Sequence, residues 1–234
     1  MNVGVKIMKK TKNMLLTGVG IILLFVIYTI LVKFVDVQQI GQLNSSVGFG
    51  TMNKFVLDLI GSNNIWYEIT EILGYIIIAT FVFGFGTLGI YQLVKRKKIS
   101  LVDYQIYVLI GFCVVLALIY VFFELVVVNY RPILLTHEVE LEASYPSSHT
   151  LLALCLVSSS MIAISSISKS KKLVYAFDGV GIILIAVMVI GRILSGVHWF
   201  SDILGAIILS AGLLCIFEFV ILFIGEKNGN KSNN

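Results

Sequence analysis

The sequence predicts an all-α integral membrane bundle of six transmembrane helices. It also predicts an extracytoplasmic amphipathic helix or loop between the first and second spans. Three observations carry this. The 234-residue chain is 58% hydrophobic and only 13% charged, against about 25% charged in soluble domains. It contains six apolar stretches of the roughly 20 residues needed to cross a bilayer. Each stretch is apolar all round, as lipid permits and a surface helix does not. Its basic residues also cluster between alternate stretches, as the positive-inside rule requires.

The predicted spans are 14–34, 69–94, 104–128, 149–168, 173–194 and 203–225, in one domain over 1–234. Span one follows Lys6, Lys9, Lys10 and Lys12. It is too long for a signal-peptide core and lacks a small-residue exit, so it reads as an uncleaved span. The clusters Lys95–Lys98, Lys169–Lys172 and Lys227–Lys231 follow spans two, four and six. Both termini are therefore expected in the cytoplasm of a multi-pass plasma-membrane protein. The segments 35–68, 129–148 and 195–202 are expected outside. In the first of these, the stretch from Asn53 to Ile69 is polar and amphipathic, and the loop is expected to include an interfacial helix, with Trp66 and Tyr67 at headgroup level. The tail 227–234 has a disordered composition.

The three cysteines lie within apolar runs, are odd in number and form no C-x-x-C pair, so they read as core or lipid-facing residues. The serine-rich run in span four reads as close helix packing. Asp178 and Glu218 read as interhelical or snorkelling groups, and Glu71 as interfacial. His137, Glu138, Glu140 and Glu142 read as a solvated loop.

The expected outer face breaks the apolar pattern. It holds two of the three arginines (Arg131 and Arg192), all three histidines and both prolines. Ionisable groups at membrane depth point to function. Two guanidiniums suit phosphate oxygens through bidentate hydrogen bonds. A histidine serves as nucleophile or general acid near neutral pH. Asp202, four residues after His198, would share a helical face with it and orient the imidazole. Ser147 or Ser148 is a natural N-cap for span four, whose amino end favours an anion. His149 falls in that first turn. The alternatives are an interfacial histidine with an incidental aspartate, and a snorkelling Arg131.

Arg131-Pro132, Pro146-Ser147-Ser148-His149, and Arg192 followed by His198 and Asp202 stand in a fixed order and spacing. In this the sequence resembles the type 2 phosphatidic acid phosphatases, or lipid phosphate phosphatases, whose pattern is K-x6-R-P, P-S-G-H and S-R-x5-H-x3-D. The resemblance covers about residues 69–225. It implies that His198 attacks phosphorus to form a phosphohistidine, with Asp202 orienting it. His149 would protonate the leaving group and later activate water. Arg131, Arg192, Ser147 and Ser148 would cradle the phosphate. It implies no metal, no cofactor and no nucleic-acid partner. The substrate would be a lipid phosphate or diphosphate held among membrane lipids, in a bacterial envelope. An isoprenoid diphosphate, phosphatidylglycerol phosphate and phosphatidic acid all fit.

Three positions depart from the pattern. Glu124 replaces the lysine and would repel phosphate, unless it pairs with Arg131 or Lys33 or Lys54 substitutes for the lysine. Ser148 replaces the glycine, and Gly191 the serine. Two rival functions remain: a phosphotransferase on the same site, and a non-catalytic lipid-phosphate binder or transporter.

Overall fold

The computed structural model describes residues 3–133 and 141–232. His137, Glu138 and Glu140 lie outside them. Among the described residues the regular structure is helical: α1 Val3–Phe34, α2 Gly50–Ile60, α3 Asn64–Arg96, α4 Tyr104–Leu125, α5 Ser148–Ile167, α6 Lys171–Ser195 and α7 Phe200–Ser232. All but α2 contain a stretch long and apolar enough to cross a membrane. All six expected spans are therefore present as helices.

The differences lie at the ends. The stretch from Asn53 to Ile69 holds most of α2 and the start of α3. Gly61 takes the left-handed φ of +73° that closes α2, a conformation cheap only for glycine. Asn63 Oδ1 then accepts from the N–H groups of Ile65 and Trp66 and caps α3. This adds a turn to α3, so Trp66 and Tyr67 stand inside it. α4 stops at Leu125 rather than 128, and the backbone of Val126 leaves the helical region. α7 continues to Ser232, beyond the expected end at 225 and through most of the tail read as disordered.

α5 is the central helix. It packs against α3, α4, α6 and α7. Half of its most apolar window is buried, against 11% for α3 and α6, whose remaining faces are open to lipid. Its buried face carries Ala153, Cys155, Ser159, Ser160 and Ala163, small residues that admit close backbone approach. Ser160 Oγ donates to the Leu156 carbonyl at 2.6 Å, which satisfies the hydroxyl within its own helix.

α1 lies along α7 in the opposite sense. The two helices meet where both lack side chains. A Cβ on Gly18 would stand 3.1 Å from the Gly212 carbonyl oxygen, and one on Gly212 would stand 2.8 Å from Ile22 Cδ1. Gly212→Leu should therefore force α1 away from α7. Overpacking of this kind costs about 1–3 kcal/mol, and thermal unfolding in detergent should show it as a lowered Tm.

Candidate active site

The site lies at one end of the bundle, where α3, α5 and α7 begin and α4 and α6 end. A cavity of about 360 Å³ opens there, lined by Glu71 and Tyr67 of α3, Glu124 of α4, Arg131 and Glu142 of the loop, His149 of α5, and His198. Its size is that of a small-molecule pocket.

His198 is held by a turn. α6 ends at Gly196, whose φ is +68°. A Cβ there would stand 2.6 Å from the Gly61 carbonyl oxygen, so only glycine allows this turn to sit against the α2–α3 junction. His198 is 5% exposed, and its Nδ1 lies 3.1 Å from the Ser144 carbonyl oxygen. A carbonyl can only accept, so Nδ1 carries the hydrogen in this geometry. Nε2 is left with its lone pair and has no partner among the described residues. Burial first, then the nearby charges of Arg131, Arg192 and His149, hold the His198 pKa well below the usual histidine value. The imidazole is therefore neutral and nucleophilic at neutral pH.

Asp202 does not contact this ring through a hydrogen bond, contrary to the helical-face expectation. His198 precedes α7, so an i,i+4 spacing confers no adjacency. Asp202 instead stands at the third position of α7. Its Oδ2 accepts from the Trp199 N–H at 3.0 Å, the reach-back half of a capping box. Its Oδ1 accepts from Asn129 Nδ2 at 3.0 Å. The Asp202 carbonyl accepts from the Ser147 N–H at 3.1 Å, which ties the start of α7 to the start of α5.

Ser147 is the N-cap residue of α5. Its side chain is buried and its hydroxyl donates to Thr150 Oγ1, so that hydroxyl is turned away from the cavity. Ser148, the first residue of α5, does line the cavity. It occupies a helical position, where the family's glycine would have no conformational advantage.

Arg131 Nε lies 2.6 Å from Glu142 Oε2. Arg192 is fully buried, with Nη2 donating to Glu71 Oε1 at 2.7 Å. Its guanidinium also stands 5.8 Å from the Tyr67 ring centroid, within cation–π range. The other carboxylate oxygen of Glu71 lies 3.3 Å from His149 Nε2. Among the described residues, Arg131 Nη1, Arg192 Nε and Nη1, and His149 Nδ1 are buried without a hydrogen-bond partner. Buried polar groups are normally paired, so a group of partnerless donors around a nucleophilic nitrogen fits an anion with several oxygens.

The proposed substitutes for the missing lysine do not reach the cavity. Lys33 Nζ donates to the Val127 carbonyl, and Lys54 pairs with Asp58 along α2. Glu124 is exposed at the cavity rim beside Tyr120, and it is Glu142, not Glu124, that pairs with Arg131.

Sequence reasoning missed Glu71, Glu142 and the Ser144 carbonyl. Glu71 had one legible signal. Tyr67, Glu71 and Gly74 recur on one face of α3, a polar stripe in an apolar helix. Gly74 exists to admit His149: a Cβ there would stand 2.6 Å from the imidazole Cδ2.

The bundle and its partnerless donors define a helical membrane protein with a candidate anion site between helix ends. Residues 126–223 match the model of the PAP2 superfamily. That segment contains all three motifs, while Glu71 and Glu124 fall before it. The fold is that of a transmembrane PAP2-type phosphatidylglycerolphosphate phosphatase from Bacillus subtilis. The crystal structure of that protein aligns with a TM-score of 0.58 at 18% identity, over 90% of this chain and 96% of that one. No curated protein sequence matches this chain.

Inorganic phosphate should bind this site and raise the Tm of the wild-type protein. A hydrogen bond to a charged group contributes about 1.5–3 kcal/mol. Arg131→Ala should therefore weaken phosphate binding by at least roughly tenfold, measurable by calorimetry in detergent.

Proposed function

We propose that this protein hydrolyses a lipid phosphate or diphosphate through a phosphohistidine, without a metal, at the extracytoplasmic face of the membrane. The observation that carries this reading is the unpartnered Nε2 of a neutral, buried His198 beside the unpartnered donors of Arg131, Arg192 and His149.

His198 Nε2 attacks phosphorus while the bond to the leaving oxygen breaks. His149 gives that oxygen its proton. In the second step His149 takes a proton from water, the water oxygen bonds to phosphorus, and the phosphorus–nitrogen bond breaks to release phosphate. The guanidiniums of Arg131 and Arg192 balance the charge on the equatorial oxygens. Ser148 and the free N–H groups at the start of α5 add the field of a helix amino end. Asp202 holds the turn that presents His198. The cavity lies at the end of the spanning helices, so a hydrocarbon tail can stay in the bilayer. The lysine clusters lie at the opposite end of α3, α5 and α7, which favours an outward-facing site. Phosphatidylglycerol phosphate is the first substrate to offer, on the strength of the structural neighbour, with prenyl diphosphate and phosphatidic acid beside it.

Purified protein in detergent with EDTA should release phosphate from at least one of these lipids. His198→Ala should lose about three orders of magnitude or more in kcat. Because the neutral ring is the nucleophile and its pKa is lowered, the acid limb of kcat/KM should lie below about 6.5, the ordinary histidine value. Binding without release would instead identify a lipid-phosphate binder.

Glu124 acts on the same assay through its charge. A carboxylate at the cavity rim repels an incoming phosphate, and exposed charges are screened by salt. Glu124→Gln should raise kcat/KM by about two- to fivefold at low ionic strength. The gain should fade at high salt.

A further inference from the structure

We propose that Glu71 is a positioning residue for the acid–base step, fixing the tautomer of His149. This rests on the phosphatase reading above and adds to it a residue outside the three motifs.

Glu71 stands on α3, one turn before Gly74. Its two oxygens face different partners: Oε1 accepts from Arg192 Nη2 at 2.7 Å, and Oε2 lies 3.3 Å from His149 Nε2. A carboxylate can only accept, so Nε2 of His149 carries a hydrogen. Nδ1, which has no partner among the described residues, is then the atom that handles the reacting proton. With the ring protonated, Nδ1–H gives its proton to the leaving oxygen. With the ring neutral, the Nδ1 lone pair accepts the proton of the attacking water. Arg192 holds the other end of the carboxylate, so Glu71 cannot swing away from the ring without leaving a fully buried guanidinium without its carboxylate partner.

The isosteric amide separates this role from a structural one. Gln at position 71 can still accept from Arg192 with its oxygen. Its NH2 then faces Nε2 and donates to it, which moves the neutral ring's hydrogen to Nδ1. That is the wrong tautomer for the base, and the imidazolium loses its carboxylate. The same carboxylate-to-amide logic applies to the aspartate of the serine protease triad.

The test is a leaving-group comparison. An alkyl phosphate, such as a short-chain phosphatidic acid, expels a poorly stabilised alkoxide and needs the proton. p-Nitrophenyl phosphate expels a stable phenolate and needs it far less. For phosphohistidine formation, measured as the single-turnover burst of alcohol or nitrophenol, Glu71→Gln should lower the rate on the alkyl substrate by about 10²-fold. The fall on the aryl substrate should be at least about tenfold smaller, with KM for both changed little. Glu71→Asp should recover part of the alkyl rate. In a His149→Ala background, Glu71→Gln should add almost nothing. Equal losses on both substrates, or no loss on either, would overturn the proposal. Turnover of neither substrate by the wild-type protein would overturn the phosphatase reading, and this proposal with it.

Discussion

A guanidinium buried in a membrane-spanning helix sets the terms for the rest of the bundle. Arg192 has no exposed surface, and a charge in that position is tolerated only when paired and hydrogen-bonded. Its partner, Glu71, is on another helix, so α3 and α6 must close on each other. Gly191 makes this possible. A Cβ there would stand 2.5 Å from Thr70 Cγ2 and 3.1 Å from the Trp66 ring. The family's serine at this position would therefore push the two helices apart. The backbone seals the same junction, with the Asn63 N–H donating to the Ser195 carbonyl at 3.2 Å. Because Glu71 also faces His149, α5 is drawn to the same point. One carboxylate thus fixes the relative depth of three helices.

A second polar network holds the loops over α7. Asn53 of α2 donates from Nδ2 to Ser201 Oγ at 2.9 Å and accepts the Ser201 N–H on Oδ1 at 3.0 Å. Asn129 donates to Asp202, and its Oδ1 accepts the Gly48 N–H. Tyr28 of α1 donates to the Ser201 carbonyl, and Trp199 Nε1 to the Tyr130 carbonyl at 2.7 Å. A buried network with its members satisfied rigidifies its surroundings. His198 is carried on that rigid turn, so its Nε2 is held in place by residues that never touch the cavity.

The spans were legible because lipid allows only one solution for the backbone, and hydropathy reports it directly. The three motifs were legible because their spacing survives in the sequence. Pairings were not. The i,i+4 relation of His198 and Asp202 holds on a helix, and the helix starts two residues after His198. The acidic stretch around Glu142 looks like a solvated loop until the loop folds back, with Tyr130 bridged to Ala143 and the Arg131 N–H donating to the Glu142 carbonyl. Glu71 is sixty or more residues from each of its partners, and a lone carboxylate near a helix start reads as interfacial. The need for glycine at 196 comes from its close approach to the Gly61 carbonyl oxygen, a contact between distant segments.

Under the proposed function, the carboxylates around the cavity account for phosphate recognition without the lysine of the family pattern. Glu71 and Glu142 neutralise Arg192 and Arg131, so the site presents little net positive field. Each pairing nevertheless engages only part of its guanidinium. Among the described residues, Arg192 Nε and Nη1 and Arg131 Nη1 have no partner. Long-range attraction is reduced while directional donors remain, and a planar fork delivers its hydrogen bonds only to an acceptor placed within it. Recognition then depends on the geometry of the bound oxygens rather than on charge alone.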